Sequence, residues 1–187
     1  MKKLICSFIL LAAVLGVHGQ GRIAFANGST TPITNASTGL VISGANNFYF
    51  GLYVGSVGTP AGGLVLNILA TNTAIAGRLT GGNPAPVAAP FADGSAIAFQ
   101  IRGWSAAGGL TYEEAVIAQQ SNPNILLGVS ILGQVTPTLT PTAAASIFGT
   151  TGGGLVPGFT LNAVPEPSSI ALGVLGLGAI ALFRRKK

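Results

Sequence analysis

The stretch Phe48-Tyr49-Phe50-Gly51-Leu52-Tyr53-Val54 decides the fold. Phe48, Phe50, Leu52 and Val54 occupy alternate positions, and Tyr49 and Tyr53 fall on the opposite side. Side chains that alternate with a period of two belong to a β-strand with one face buried. Working outward, Ser95–Arg102 repeats the pattern: Ile97, Phe99 and Ile101 face one way, Gln100 and Arg102 the other. In Leu64–Leu69, the same rule places Leu64, Leu66 and Ile68 on one face. Ile125–Leu132 is more continuously apolar and reads as a central strand. Shorter candidates are Ile23–Phe25, Leu40–Ile42, Ala74–Arg78 and Phe159–Leu161.

Turn chemistry separates these runs. Asn27-Gly28, Gly62-Gly63, Gly81-Gly82-Asn83-Pro84, Asp93-Gly94 and Gly108-Gly109 are strong breakers. One short helix is expected. Thr111-Tyr112-Glu113-Glu114 has the form of a capping box ahead of Ala115–Ala118, with both acids in the first turn. About eight short strands at roughly ten-residue spacing give a mainly β fold, a β-sandwich of jelly-roll or Ig-like type with one short helix. Residues 20–134 form this body. Residues 135–163, rich in Pro, Gly and Thr, read as a stalk with a last strand near its end.

The chain of 187 residues carries a formal charge of +5, but the charge lies at its two ends. Lys2 and Lys3 open the chain; Arg184, Arg185, Lys186 and Lys187 close it. Between them Arg22, Arg78 and Arg102 balance Asp93, Glu113 and Glu114. The body therefore has no basic patch for nucleic acid.

Residues 1–19 have the three parts of a secretory signal peptide: the Lys2-Lys3 n-region, the apolar run Leu4–Val17, and small or modest residues before a cleavage point between Gly19 and Gln20. Cys6 and His18 are the sole cysteine and histidine, and both lie in this leader. Residues 164–187 combine Pro165-Glu166-Pro167, the 14 uncharged residues Ile170–Phe183, and Arg184–Lys187. As a helix, the apolar run spans roughly 21 Å against a hydrocarbon core of ~30 Å. Ser168, Ser169 and snorkelling basic side chains nearly close that gap. The basic cluster acts as a stop-transfer signal that stays cytoplasmic, as Lys2-Lys3 does. Everything between the two apolar segments then lies across the membrane.

These C-terminal residues resemble the PEP-CTERM sorting signal. Pro165 and Pro167 hold their segment extended, a form that suits a peptidase cleft, and Glu166 is its one charged handle. The resemblance implies export across the inner membrane through the Sec translocon and transient anchoring through residues 170–183. It further implies handling by an exosortase, a membrane-embedded cysteine transpeptidase or protease of Gram-negative bacteria. The destination it implies is the cell surface or the extracellular space, with exopolysaccharide or biofilm as the associated material. The body more loosely resembles small PEP-CTERM ectodomains in which an Arg-x-Trp strand, here Arg102-Gly103-Trp104, precedes a Thr-Tyr-Glu-Glu-like turn, here Thr111–Glu114. No defined activity comes with that likeness.

The residue types also limit the chemistry expected of the body. Without His or Cys it offers neither a Ser-His-Asp or Cys-His site nor a His-ligated metal site. Glu113 and Glu114 are adjacent on a helix and point about 100° apart, unlike the facing carboxylates of a glycosidase. Asp93 reads as a turn acid, and no Asp-rich loop accompanies it to bind calcium. The expectation is a noncatalytic protein with no catalytic residue, metal or cofactor. The alternative is a carbohydrate-binding module in which Trp104, Tyr49 and Tyr53, with Tyr112, form a stacking platform. Against that stands a plainer role, in which Trp104 closes the core and the tyrosines sit at its rim.

Overall fold

A computed structural model describes residues 21–88, 90–91, 94–139 and 141–163. The signal peptide with Gly19 and Gln20, the acid Asp93, and the tail from Val164 to Lys187 lie outside the described residues.

The body is mainly β. Its strands are β1 (Arg22–Ala26), β2 (Ile33–Asn35), β3 (Phe48–Ser56), β4 (Val65–Asn72), β5 (Leu79–Pro86), β6 (Ile97–Ser105), β7 (Leu127–Val129), β8 (Gly133–Val135), β9 (Ala145–Ser146) and β10 (Phe159–Leu161). One helix, α1 (Tyr112–Ser121), lies between β6 and β7. Eight strands form a curled sheet in the order β7-β6-β3-β4-β5-β1-β9, with β8 also pairing β6. β2 and β10 make a second, two-stranded parallel sheet.

The alternation in β3 and β6 sets the layers. The two strands pair antiparallel over nine residues, from Phe48↔Ser105 to Ser56↔Ile97. Phe50, Leu52, Val54, Ile97, Phe99 and Ile101 are buried on the inner face. The β2–β10 pair lies over that face. Leu161 and Ile33 join the same core, and Phe159 meets Phe50 edge-on at 6.3 Å. The sandwich expected from the sequence is thus a curled sheet with a small sheet laid against it.

Several segments differ from expectation. In β4, Leu52 pairs Ile68 and Tyr53 pairs Leu66, so Asn67 is skipped. This bulge turns Leu66 to the outer face and leaves it exposed, away from Ile68. Gly81-Gly82-Asn83-Pro84 lies inside β5 rather than breaking the chain. A Cβ on Gly81 would collide with the ring of Phe25 across the β1–β5 pair, so glycine here allows close strand packing. Ile125–Leu132 is not one central strand. β7 and β8 each cover part of the same edge of β6. Between them Ser130 Oγ accepts the Ile101 N–H at 2.9 Å, and Ile131 and Leu132 point to solvent. Ala74–Arg78 is a turn, and Leu40–Ile42 contributes an isolated bridge between Val41 and Thr34.

Residues 135–139 and 141–163 belong to the body and are not a stalk. β9 pairs parallel with β1, and β10 pairs parallel with β2. Ile147, Phe148, Val156 and Leu161 are buried in the main core. Four large apolar side chains lie among the Pro, Gly and Thr of this segment, and their burial outweighs the composition around them. The expected last strand near Phe159 is present as β10.

Candidate functional site

The outer face of β3 and β6 carries the residues singled out in the sequence. Tyr49, Gly51 and Tyr53 on β3 lie across from Trp104, Arg102 and Gln100 on β6. α1 packs over one end of this face. Its N-terminus is fixed as expected: Thr111 Oγ1 accepts the Glu114 N–H at 3.2 Å, and Glu114 Oε2 accepts the Thr111 N–H at 3.2 Å and the Leu110 N–H at 2.8 Å. Glu114 is thereby committed to the helix cap.

Trp104 has no exposed surface. It packs with Ala115 of α1 and with Ile125, and its Nε1–H donates to the Gly109 carbonyl at 3.1 Å. Tyr49 leans over it at 5.9 Å between ring centroids, and Tyr112 meets it edge-on at 6.0 Å. The expected platform is corrected here: α1 covers the indole, so Trp104 offers no face to a sugar. The plainer role, with Trp104 in a core and tyrosines at its rim, describes this geometry. This core is a satellite of the main one, on the opposite side of the sheet.

Arg102 organises the rest of the face. Its guanidinium stacks 4.0 Å above the Tyr53 ring and lies 5.6 Å from that of Tyr112. Nη2–H donates to the Ala61 carbonyl at 2.7 Å, Nε–H to Gln100 Oε1 at 3.4 Å, and Nη1–H to Glu113 Oε1 at 3.4 Å. The Arg102 side chain is 13% exposed and the Glu113 side chain 65%. The ion pair is therefore largely solvated on its acidic side, and the stacking and the Ala61 contact dominate. Gly51 makes room for this arrangement. A Cβ there would approach Tyr53 Cε2 to 2.7 Å and Leu66 Cδ1 to 2.8 Å. Burial raises the Tyr53 hydroxyl above the ordinary tyrosine range; the Glu113 charge adds to this and Arg102 offsets it. Burial raises Tyr112 likewise, with Arg102 opposing and Glu113 adding.

The Arg-x-Trp and Thr-Tyr-Glu-Glu elements thus converge in space. Together they dock the helix on the sheet. Sequence reading did not find two of their partners, the carbonyls of Ala61 and Gly109, because a backbone acceptor leaves no mark on residue type. Among the described residues, no group of three or more His, Cys, Asp or Glu side chains is placed to hold a metal ion. Two shallow depressions lie elsewhere. One of about 320 Å³ is lined by Ser56, Pro90, Phe91, Ser95, Ala96 and Ile97. The other, of about 280 Å³, includes Asn35, Leu40, Val41, Asn47 and Phe48.

The body ends tightly. Leu161 is fully buried, and Asn162 exchanges two backbone hydrogen bonds with Leu127, at 2.7 and 2.9 Å. Gln119 Nε2–H also donates to the Asn162 carbonyl, at 3.1 Å. Pro165, Glu166, Pro167 and the basic cluster Arg184–Lys187 follow, outside the described residues. Among the described residues, no helix is long and apolar enough to cross a membrane. No curated protein and no solved structure matches the chain. A family model does match its end: residues 163–187 fit the PEP-CTERM protein-sorting motif. The chain therefore carries a PEP-CTERM sorting signal, which implies export to the cell surface or extracellular space with an exosortase as the sorting partner.

Proposed function

We propose that this is a noncatalytic surface or matrix protein that enters the Sec translocon by its signal peptide. An exosortase then processes it near Pro165-Glu166-Pro167, and it ends among exopolysaccharide in a biofilm. The observation that carries this reading is the sorting motif over residues 163–187. The use made of the body's polar residues supports its noncatalytic part. Glu114 caps α1, Glu113 pairs with Arg102, and Arg102 is spent on two tyrosines and a carbonyl. The body sequence supplies no His or Cys to assist them. In this reading residues 170–183 hold the chain in the membrane until the tail is removed.

Intact mass of the native protein tests the proposal. The mature form outside the cell is expected to lack residues 1–19 and the apolar tail with its basic end. Recovery of full-length chain from the extracellular fraction would sink it. Association with the polymer is tested separately, by co-sedimentation of the mature body with exopolysaccharide purified from the producing cells. A body that stays in the supernatant removes the matrix part of the reading.

A further inference from the structure

The tail leaves the body at one end of the sheet, and the loops there carry exposed apolar tips. Phe48 and Ser105 pair at this end, and Leu127 joins Asn162 beside it. Ala36 N–H donates to the Leu161 carbonyl, and Asn35 N–H to the Leu40 carbonyl, so Leu40 stands next to the exit. Gly77 N–H donates to the Ile42 carbonyl, which brings the Ile75 turn alongside Val41. Leu40 is 68% exposed, Ile75 65% and Val41 39%. The segments that carry these tips are nearly uncharged: no Asp, Glu, Lys or Arg occurs between Arg22 and Arg78, nor between Glu114 and Glu166. Arg78, which closes the Ile75 turn, is half-buried with its Nη1–H donating to the Asn27 carbonyl at 3.2 Å.

The tether is short. Seven residues, Ala163 to Ser169, separate Asn162 from the apolar run that begins at Ile170. Fully extended, that stretch reaches at most about 28 Å. Crossing one headgroup layer takes ~5–7 Å of it. A domain of this size is roughly 37 Å across. The exit end therefore stays near the bilayer surface, and the far end, where Val57 follows β3, cannot swing down to replace it.

We infer that, while residues 170–183 hold the chain in the membrane, the loop tips Leu40, Val41 and Ile75 rest in the lipid interface and fix the orientation of the body. The partner is a lipid surface. The segments that carry Leu40, Val41 and Ile75 contain no acid, and the Arg78 guanidinium keeps its hydrogen bond to the Asn27 carbonyl, so burying the apolar tips in the interface is favourable. This inference rests on the membrane anchoring proposed above.

The test uses the tail-bearing chain that begins at Gln20, which lacks the leader and with it the only cysteine, reconstituted at low density in phosphatidylcholine–phosphatidylglycerol vesicles. An environment-sensitive fluorophore is placed at Ser43→Cys, on the exit end, or at Val57→Cys, on the far end. Lipids carrying a nitroxide near the headgroup are the quencher. The Ser43 label is expected to be quenched and blue-shifted, and the Val57 label to remain as in water. Adding Leu40→Ser and Ile75→Ser, both at exposed positions, is expected to weaken the contact by roughly a hundredfold and return the Ser43 label to its aqueous signal. Equal quenching at the two positions, or none in protein that floats with the vesicles, overturns the inference. Quenching that vanishes as the protein is diluted within the membrane would assign the tips to a second copy and also overturn it. Protein that fails to float at all would instead refute the anchoring on which the inference rests.

Discussion

Replacing Trp104 with alanine removes the largest fully buried side chain of the body. Three losses follow. The indole surface against Ala115 and Ile125 becomes a cavity beneath α1. The contacts with Tyr49 and Tyr112, each worth about 0.5–1.5 kcal/mol, disappear. The hydrogen bond to the Gly109 carbonyl, worth about 1 kcal/mol net, goes with them. Truncations of a buried aromatic of this kind cost about 3–5 kcal/mol in total. For a body of this length that corresponds to a fall in Tm of roughly 10–20 °C. Thermal and urea unfolding followed by far-UV circular dichroism measures it. Trp104→Phe keeps most of the packing and is expected to lose well under half as much. The wild-type protein offers an independent check, since Trp104 is its only tryptophan. Its emission is expected to be blue-shifted and insensitive to iodide. An alanine variant that melts with the wild type, or indole emission quenched by iodide as freely as a short peptide's, would refute the buried placement. Either result would return Trp104 to the surface as a candidate sugar contact.

The alkaline behaviour of the body follows from its tyrosines. Tyr53 and Tyr112 titrate above the free value in the folded state, so the folded protein holds more protons than the unfolded chain once pH passes about 10. Stability is then full below that point and declines as pH rises through the folded pKa values; absorbance at 295 nm and unfolding at stepped pH read both. Arg102→Met is expected to cost about 1–3 kcal/mol in urea unfolding, through the lost stacking on Tyr53 and the unpaired Ala61 carbonyl. Glu113→Gln is expected to cost less than about 1 kcal/mol, because its partner contact is solvated. Leu161→Ala should cost about 2–5 kcal/mol, and residues 145–161 should resist limited proteolysis in the wild type. Rapid cleavage within that segment would mean that it is a stalk after all.

Elements governed by their own residues were legible in the sequence. β3 and β6 alternate as their side chains require, and Thr111 and Glu114 form the cap their spacing announces. The misreadings share a different cause: each depends on a partner distant in the chain. Leu66 changes face because β4 skips Asn67 against β3. Gly81 sits in a strand because Phe25 occupies the space its missing side chain leaves. Period two correctly puts Trp104 opposite Phe99 and Ile101, but nothing local says that α1 returns to cover it. Residues 145–161 look like a linker by composition, and only the parallel pairing with β1 and β2 shows where Ile147, Phe148 and Leu161 go. The sorting tail was readable for the opposite reason. Its parts are contiguous, so no folding is needed to bring them together.

The parallel pairing of the last strands with the first two sets a schedule. On the export route proposed above, β1 and β2 would emerge first, whereas their partners β9 and β10 are among the last body residues to arrive. Such long-range contacts carry a high loop-closure cost and fold slowly. Until Leu161 is across, Ile33 lacks its cover, and the β-edges of Ile23 and Ile33 stay open to wrong pairings. The apolar run begins at Ile170, only nine residues after Leu161, and on that route it would enter the channel directly behind the body. Completion of the body and arrest of the tail would then be nearly simultaneous events.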